Sequence, residues 1–162
     1  MAQPAVVSRR TQEERRAETQ ARLLDATIQS LLDVGYARTT TRRVAQIAGV
    51  STGAQAHHYP SRLDLVVAAV ERLGRQRLDK LRGAAARLPS GQERIGGLRD
   101  LLWADCSSPL FTVWAKLWVA AADDAQLLAR LAPIERDVNR EIRDFGIEVF
   151  GPYEDDREFV GR

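Results

Sequence analysis

Residues 41–58 read TRRVAQIAGVSTGAQAHH, and this stretch decides the fold. Its first half carries apolar side chains at helical spacing and stops at Gly49, a residue type that ends helices without a Cβ clash. Ser51 can then cap a second short helix through about His58, as the threonines at 39–41 can cap the first. Two short helices joined by a glycine-containing turn predict a helix-turn-helix, whose second helix fits the major groove of DNA.

The segments on either side of this motif also have helical patterns. Before it, apolar residues recur every three or four positions from Thr11 until Gly35, which is predicted to end the helix. After it, Pro60 makes a break, and Ser61 with Asp64 forms a capping-box variant that opens a long helix to about Ala86. The inward-facing residues of the two helices are predicted to be Ala17, Ala21, Leu24, Ile28 and Leu31, then Val66, Val70 and Leu73.

The remainder of the chain is predicted to be helical as well. A linker at 88–91, LPSG, precedes a helix with leucines and an isoleucine on one face, and Ser108 with Pro109 begins the next. A last long helix follows Asp124, is expected to bend at Pro133, and ends at 151–152. Its inner stripe is Leu127, Leu131, Ile134, Val138, Ile142, Phe145 and Val149. Because no segment has a strand pattern, the predicted fold class is all-α.

Composition favours a globular protein that contacts a polyanion through its N-terminal part. Of 162 residues 44% are apolar and 28% charged, and no apolar run reaches the roughly 18 residues of a membrane span. Residues 1–62 hold nine arginines and five acidic residues, a balance of +4; the remainder holds fifteen basic and seventeen acidic residues, a balance of −2. The start of the chain has no apolar signal segment, so we expect a cytoplasmic protein without a membrane partner.

The inventory of reactive side chains disfavours catalysis and metal binding. The chain has one cysteine, Cys106, interpreted as a small buried hydrophobe, and two histidines, His57 and His58. Adjacent residues on a helix point about 100° apart, so the two histidines do not form a metal pair, and no acidic partner stands at a ligand spacing. No nucleophile, base and orienting group can be identified. The sequence predicts no enzyme, no metal and no cofactor.

The run from Thr40 to Ala54, with its continuation from His57 to Leu65, resembles the TetR family of bacterial transcriptional regulators. The family pattern is a threonine-led helix, the sequence A-x-x-A-G-V-S, a recognition helix ending in an aromatic or histidine cluster, and then [FY]-x-[SN]-[KR]-x-x-L. The close match covers residues 20–70. Residues 1–10 are predicted from their composition to be a disordered basic arm. The resemblance implies a three-helix helix-turn-helix DNA-binding domain at 11–62 and a helical ligand-binding and dimerisation domain at 63–162.

The resemblance also implies roles for individual residues in binding DNA. Thr41 and Arg42, at the start of the motif's first helix, are expected to hold phosphates or reach a base. Thr52, Gly53 and Ala56 are expected on the groove-facing side of the recognition helix. The backbone phosphates are expected to be contacted by His57, His58 and Arg62, whereas Tyr59 is expected in the core.

Two positions depart from the family pattern. Gln55 stands where leucine is usual, and Ala56 where tyrosine is usual. Either Gln55 is a polar group at a core position, or the helix is rotated so that Gln55 reads DNA; it is kept among the candidate DNA contacts. The alanine removes a common phosphate or thymine contact.

Aromatic residues concentrate in the second half of the chain, at Trp103, Phe111, Trp114 and Trp118. At helical spacing they are either core or, as the resemblance implies, the lining of an apolar effector cavity with Cys106 and Lys116 as neighbours. Under the second interpretation the protein is a repressor that an effector releases from a palindromic operator. Its dimer would place two recognition helices about 34–36 Å apart.

The resemblance implies two further C-terminal helices that pair with a second subunit. The chain ends at Arg162, and residues 155–160, DDREFV, look like the opening of such a helix, so we expect the last helices to be missing. Two other classes of function stay open on the sequence alone. One is a small helical enzyme using His57, His58 or Cys106; the other is an interaction protein whose helix-turn-helix no longer binds DNA.

Overall fold

The computed structural model describes residues 11–89 and 92–150, and within these ranges the chain forms seven α-helices and no strand. The all-α prediction is confirmed. The predicted arm at 1–10, the middle of the linker at 90–91, and the expected start of a further helix at 155–160 lie outside the described residues. The helices are α1 (Gln12–Arg38), α2 (Thr41–Ala48), α3 (Thr52–His58), α4 (Arg62–Ala85), α5 (Gln92–Cys106), α6 (Pro109–Ala122) and α7 (Ala125–Phe150).

The chain divides into two compact units, with the division falling after Ala69, inside α4. The first unit has a core to which α1, α2 and α4 all contribute. Its buried members are Leu23, Ala26, Val44, Ala48 and Leu65, with Val50 and Tyr59 packed against them. Tyr59 is half-buried and packs against this core, in line with its predicted packing role at the end of α3.

The two helices of the motif begin and end where the sequence predicts. The side chain of Thr40 accepts a hydrogen bond from the amide of Arg43 at 3.1 Å, and Ser51 accepts one from the amide of Ala54 at 3.1 Å. Gly49 has φ 62° and ψ 40°, the left-handed conformation that ends α2. These caps fix the short turn that separates α2 from α3.

The end of α1 differs from the prediction in one respect. Gly35 does have a positive φ of 75°, but with ψ 177° it makes a kink, and helical residues continue to Arg38. Glycine accepts this conformation because it has no Cβ. The helix therefore ends at Arg38, and the next residue, Thr39, is buried with 1% of its surface exposed.

The second unit has its own core, formed by the second part of α4 with α5 and α7. Its buried members are Leu78, Leu81, Ala85, Leu98 and Phe145. Ser108 caps α6 and Pro109 is its first residue, as predicted. Four members of the predicted stripe of α7, Leu127, Leu131, Ile134 and Phe145, are buried, and α7 is continuous across Pro133.

The prediction for Cys106 is wrong. Its side chain is exposed at the end of α5, beside the exposed apolar residues Ile95, Leu102 and Trp103. The helix presents these residues on a face that no other described helix covers, so the thiol is not packed in a core.

Candidate DNA-binding surface

Helix α3 has one exposed face of small and polar residues, and four of the predicted contact residues lie on it. Thr52, Gly53, Ala56 and His57 are all exposed, and their spacing of one and four positions places them together along the helix. Gly53 and Ala56 have almost no side chain, so the backbone of α3 can approach another surface closely. A major groove accepts such a helix.

Gln55 lies on the opposite face of α3, and its side chain is 3% exposed. Its Nε2 donates to the backbone carbonyl of Tyr59 at 2.6 Å, at the C-terminal end of the helix. The amide thus satisfies a carbonyl that the helix itself leaves free, which a leucine could not do. The prediction that Gln55 contacts DNA is at odds with this placement, because a buried side chain cannot reach a base edge; the core alternative is the one observed.

The start of α2 presents an exposed cation. Arg42 is exposed, whereas Thr41 is half-buried in the first turn. Because Thr40 is the residue that caps the helix, the hydroxyl of Thr41 is not used for capping. A guanidinium in the first turn of a helix can bind phosphate together with the backbone amides.

The two histidines at the end of α3 have different environments. His57 is exposed, and His58 is half-buried with its Nδ1 buried and without a hydrogen-bond partner among the described residues. Burial, helped by the nearby charges of His57 and Arg16, lowers the pKa of His58 from its ordinary 6.5. A neutral His58 can offer a phosphate one hydrogen bond but no charge.

Arg62 is held by an aromatic ring. Its guanidinium carbon lies 4.3 Å from the ring centre of Tyr36, and Nη1 makes a long 3.5 Å contact to the carbonyl of Tyr36. Stacking of this kind orients the planar guanidinium and leaves other N–H donors available. The residue expected to clamp a phosphate is therefore also a packing contact between α4 and the end of α1.

The turn of the motif is fixed by Arg22, which the sequence analysis did not single out. Nη2 of Arg22, on α1, donates to the carbonyl of Ala48 and, at 3.1 Å, to that of Gly49. The C-terminal carbonyls of a helix lack partners within it, and a cation is favourable there. A Cβ on Gly49 would come within 2.9 Å of the same nitrogen.

A second arginine that the prediction left unassigned, Arg43, fixes the start of α2. Its Nε donates to the hydroxyl of Ser30 at 3.1 Å, and Nη2 forms an ion pair with Asp33 at 3.2 Å. Both partners are on α1. No motif marks such a contact in a sequence, because the three residues are brought together by the packing of α1 on α2.

In the second unit, the four aromatic residues predicted to line an effector cavity do not form one group. Trp103 is 75% exposed on α5, whereas Trp114 on α6 is buried and Phe111 is half-buried. Trp118 is half-buried, and its Nε1 donates to a carboxylate oxygen of Glu135 at 3.1 Å. Phe111 and Trp114 instead share a cation, since the guanidinium carbon of Arg77 lies 5.2 and 5.9 Å from their ring centres.

The same arginine lines a cavity of about 590 Å³ in the second unit. Residues of α4 form one wall, residues of α5 the other, and Ser108 and Leu110 at the start of α6 complete it. Ligand pockets commonly have volumes of about 300–1,000 Å³. No group of three or more histidine, cysteine or acidic side chains able to hold a metal ion occurs in the described part of the chain.

A capped helix-turn-helix with an exposed small-residue face, followed by a helical second unit, defines a DNA-binding transcription regulator. The comparisons identify the family. The family model described as bacterial regulatory proteins, tetR family, matches residues 23–69, which include all of α2 and α3. The chain belongs to the TetR family.

Curated relatives of this chain are regulators of the same kind. The HTH-type transcriptional regulator Rv2912c of Mycobacterium tuberculosis is 32% identical over 139 residues, covering 83% of this chain and 69% of the relative. The HTH-type transcriptional regulator CymR of Pseudomonas putida is 37% identical over 119 residues, covering 74% and 59%. Both alignments extend well beyond the helix-turn-helix, so the similarity includes part of the second unit.

Solved structures share the fold. A transcriptional regulator from Pseudomonas aeruginosa PAO1 aligns over 92% of this chain and 69% of its own with a TM-score of 0.64 and 26% identity. The multidrug binding protein EbrR, solved in complex with imidazole, aligns over 88% of this chain and 75% of its own with a TM-score of 0.59 and 22% identity. Within the described residues no helix is long and apolar enough to cross a membrane.

Proposed function

We propose that this chain is a ligand-responsive repressor that binds a palindromic operator as a homodimer and leaves it when a small, largely apolar effector binds. The observation that carries the DNA-binding part is the exposed face of α3, with Thr52, Gly53, Ala56 and His57 side by side. The target of such a regulator is chromosomal DNA, which places its action in the cytoplasm. It needs no cofactor and catalyses no reaction.

The proposed contacts with DNA divide by the chemistry of the side chains. Thr52 supplies a hydroxyl for a base edge, and Gly53 and Ala56 supply room for close approach. The phosphate contacts come from cations and polar groups on the flanks, which fix the register of α3 in the groove. These are Thr41, Arg42, His57, His58 and Arg62; Gln55 is left out because it is buried.

The effector is proposed to bind in the second unit. Phe111 and Trp114 adjoin the cavity through Arg77, and Trp118 lies one turn further along α6. Trp103 belongs to a separate exposed patch on α5, so its predicted role in effector binding has less support than theirs. EbrR, which has this fold, is a multidrug binding protein.

The proposed mechanism is a shift between two populations of the dimer. Helix α4 begins in the first unit and continues into the second, so it can transmit a change at the cavity to the helix-turn-helix. An effector that binds better to the state with unsuitable spacing of the two recognition helices removes the protein from DNA. DNA must then weaken effector binding by the same factor.

Selection of binding sites from random duplex DNA tests this proposal. We expect a palindrome whose half-sites are about one helical turn apart. Arg42→Ala should weaken binding to all sequences and lower the slope of log K against log salt by about 1, whereas Thr52→Ala should change base preference. Arg136→Ala, an exposed arginine on α7, is the matched control.

Three results would contradict the proposal. Absence of any enriched sequence at low salt would favour an interaction protein without DNA binding. A change of base preference in Arg42→Ala without a change in salt slope would contradict its phosphate role. Enrichment of a single half-site, with one chain bound, would contradict the homodimer.

A further inference from the structure

The cavity of the second unit has an electrostatic character that the apolar-effector proposal does not specify. Its walls are leucine and alanine side chains with three cations: Arg77 and Lys80, one turn apart on α4, and Arg87, just after the end of that helix. Two carboxylates, Asp79 and Asp105, also line it. The apolar part is formed by Leu81, Ala84, Leu101, Ala104 and Leu110.

Arg77 is the buried polar group of this cavity, with only 9% of its surface exposed. Nε donates to Oδ1 of Asp105 at 3.2 Å, and Nη2 pairs with Oδ2 of the same carboxylate. Asp105 thereby neutralises the charge of Arg77 and fixes its plane. Among the described residues Nη1 makes no hydrogen bond, so its two N–H donors are not used within the protein, and the residue lines the cavity.

Lys80 and Arg87 form the rim of the cavity. Both are exposed, and neither makes an ion pair or hydrogen bond with another residue in the ranges 11–89 and 92–150. Asp79 offsets one of these charges, and with Asp105 matched to Arg77 the lining keeps one net positive charge. An apolar ligand alone would leave Nη1 of Arg77 without a partner once it displaced water, which costs free energy.

We infer that the effector is an amphipathic organic anion, an apolar body carrying one carboxylate or similar acidic group. The anionic group accepts hydrogen bonds from Nη1 of Arg77 and pairs with Lys80 and Arg87, while the body lies on Leu81, Leu101 and Leu110. This inference rests on the proposed function, because it assigns the effector of that regulator. It adds to that function a negative charge on the effector, which the cations of the cavity recognise.

Three probes with the same apolar body and different charge test the inference. They are 4-phenylbutyrate, 4-phenylbutanamide and 4-phenylbutylamine, titrated into the free protein by calorimetry without DNA. The acid should bind at least about tenfold more tightly than the amide or the amine. Equal affinity for acid and amide, tightest binding of the amine, or no binding of the acid would each overturn the inference.

Substitutions then identify the cations that give the cavity its preference for the acid. Lys80→Gln with Arg87→Gln should remove most of the preference for the acid, because both side chains are exposed and their loss leaves the fold intact. The matched control is Arg136→Gln with Arg143→Gln, two exposed arginines of α7 outside the cavity. If the first pair keeps the preference, or the control pair loses it, the assignment is wrong.

Arg77 has to be substituted together with Asp105, because removal of Arg77 alone leaves the nearly buried carboxylate of Asp105 without its ion-pair partner. Arg77→Gln with Asp105→Asn keeps hydrogen-bonding groups of similar size in place of the ion pair. The double variant should fold and lose affinity for the acid more than for the amide; an unchanged ratio would contradict the role of Arg77.

Failure of the inference and failure of the proposed function are distinguishable. A chain that selects an operator but binds no probe acid remains a regulator with another class of effector. A chain that binds the acid but selects no DNA sequence would support the assigned class of ligand and contradict the proposed role as a regulator.

Discussion

The buried hydroxyls of Ser30 and Thr39 lie 3.0 Å apart and connect α1 to the segment that leads into α2. Thr39 Oγ1 donates to the carbonyl of Gly35 at 2.9 Å, so Ser30 is the donor to Thr39. Nε of Arg43 in turn donates to Ser30. This hydrogen-bonded chain sets the position of α2, on which the placement of α3 depends.

Thr39→Val should lower the free energy of unfolding by about 1–3 kcal/mol, because the buried hydroxyl of Ser30 loses its acceptor while the volume is unchanged. Urea denaturation measures the change. Thr112→Val is the matched control: its hydroxyl bonds to the carbonyl of Ser108, but the residue is exposed. Equal losses in the two variants would show that burial of the Ser30–Thr39 pair has no special effect.

Gly49→Ala should also destabilise the protein, by about 1–2 kcal/mol. The residue has φ 62°, and the new Cβ would lie 2.9 Å from Nη2 of Arg22, so that side chain must move from the end of α2. Thermal unfolding followed by circular dichroism measures the effect. If Gly49→Ala has the same stability as the wild type, the turn has another conformation in solution.

Gly53→Ala separates folding from DNA binding. Its Cβ would have its nearest neighbour at 3.9 Å, and alanine favours helix by up to about 1 kcal/mol over glycine, so stability should stay the same or rise. Operator affinity should fall by about tenfold or more, since a methyl group is added on the face proposed to enter the groove. Fluorescence anisotropy with a labelled operator gives the affinity. Unchanged affinity would remove Gly53 from the interface.

His58 should make stability depend on pH. Its pKa in the folded protein is lowered by burial and by the charges of His57 and Arg16, so the unfolded chain takes up a proton first as the pH falls. The free energy of unfolding is therefore highest above about pH 6.5 and decreases as the pH drops through 6.5 toward the lowered pKa. Urea titrations between pH 7.5 and 5.5 measure this slope.

The control for this pH dependence is the neighbouring histidine. His58→Gln should flatten the slope, whereas His57→Gln should retain it in reduced form, because one of the three causes of the shift is gone. A wild-type slope in His58→Gln would show that other groups titrate in this range.

The ion pair of Arg77 and Asp105 should be strongly coupled. With side-chain exposures of 10% and 15%, loss of one partner leaves a nearly buried charge, so Arg77→Gln and Asp105→Asn should each cost about 3–5 kcal/mol. The double variant should cost much less than the sum. A double-mutant cycle by urea denaturation measures the coupling, and additive losses would contradict it.

The sequence predicted those features that depend on local rules. The boundaries of α2 and α3 follow from Thr40, Gly49 and Ser51, whose capping chemistry acts within three or four residues. The buried face of α4 follows from its periodicity in the same way. The roles of the residues on the DNA side came from the family resemblance and stay predictions.

Contacts between distant positions could not be predicted. Arg22 is 26 residues from Ala48, and Arg77 is 28 residues from Asp105, so no local pattern connects them. Periodicity also could not predict whether Cys106 and Trp103 are buried or exposed, because an aromatic or sulfur-containing residue at helical spacing fits either a core or an uncovered face. Gln55 could be placed only once the rotation of α3 was known.

The hydrogen bonds from Arg22 to the turn of the motif have a consequence for which residues of α3 can be substituted. It holds main-chain oxygens of Ala48 and Gly49, whose positions do not depend on which side chains follow in α3. Thr52, Gly53, Ala56 and His57 can therefore be exchanged as a block without loosening the scaffold that carries them. If α3 reads the operator as proposed, substitution of these four residues should change sequence preference at little cost in stability.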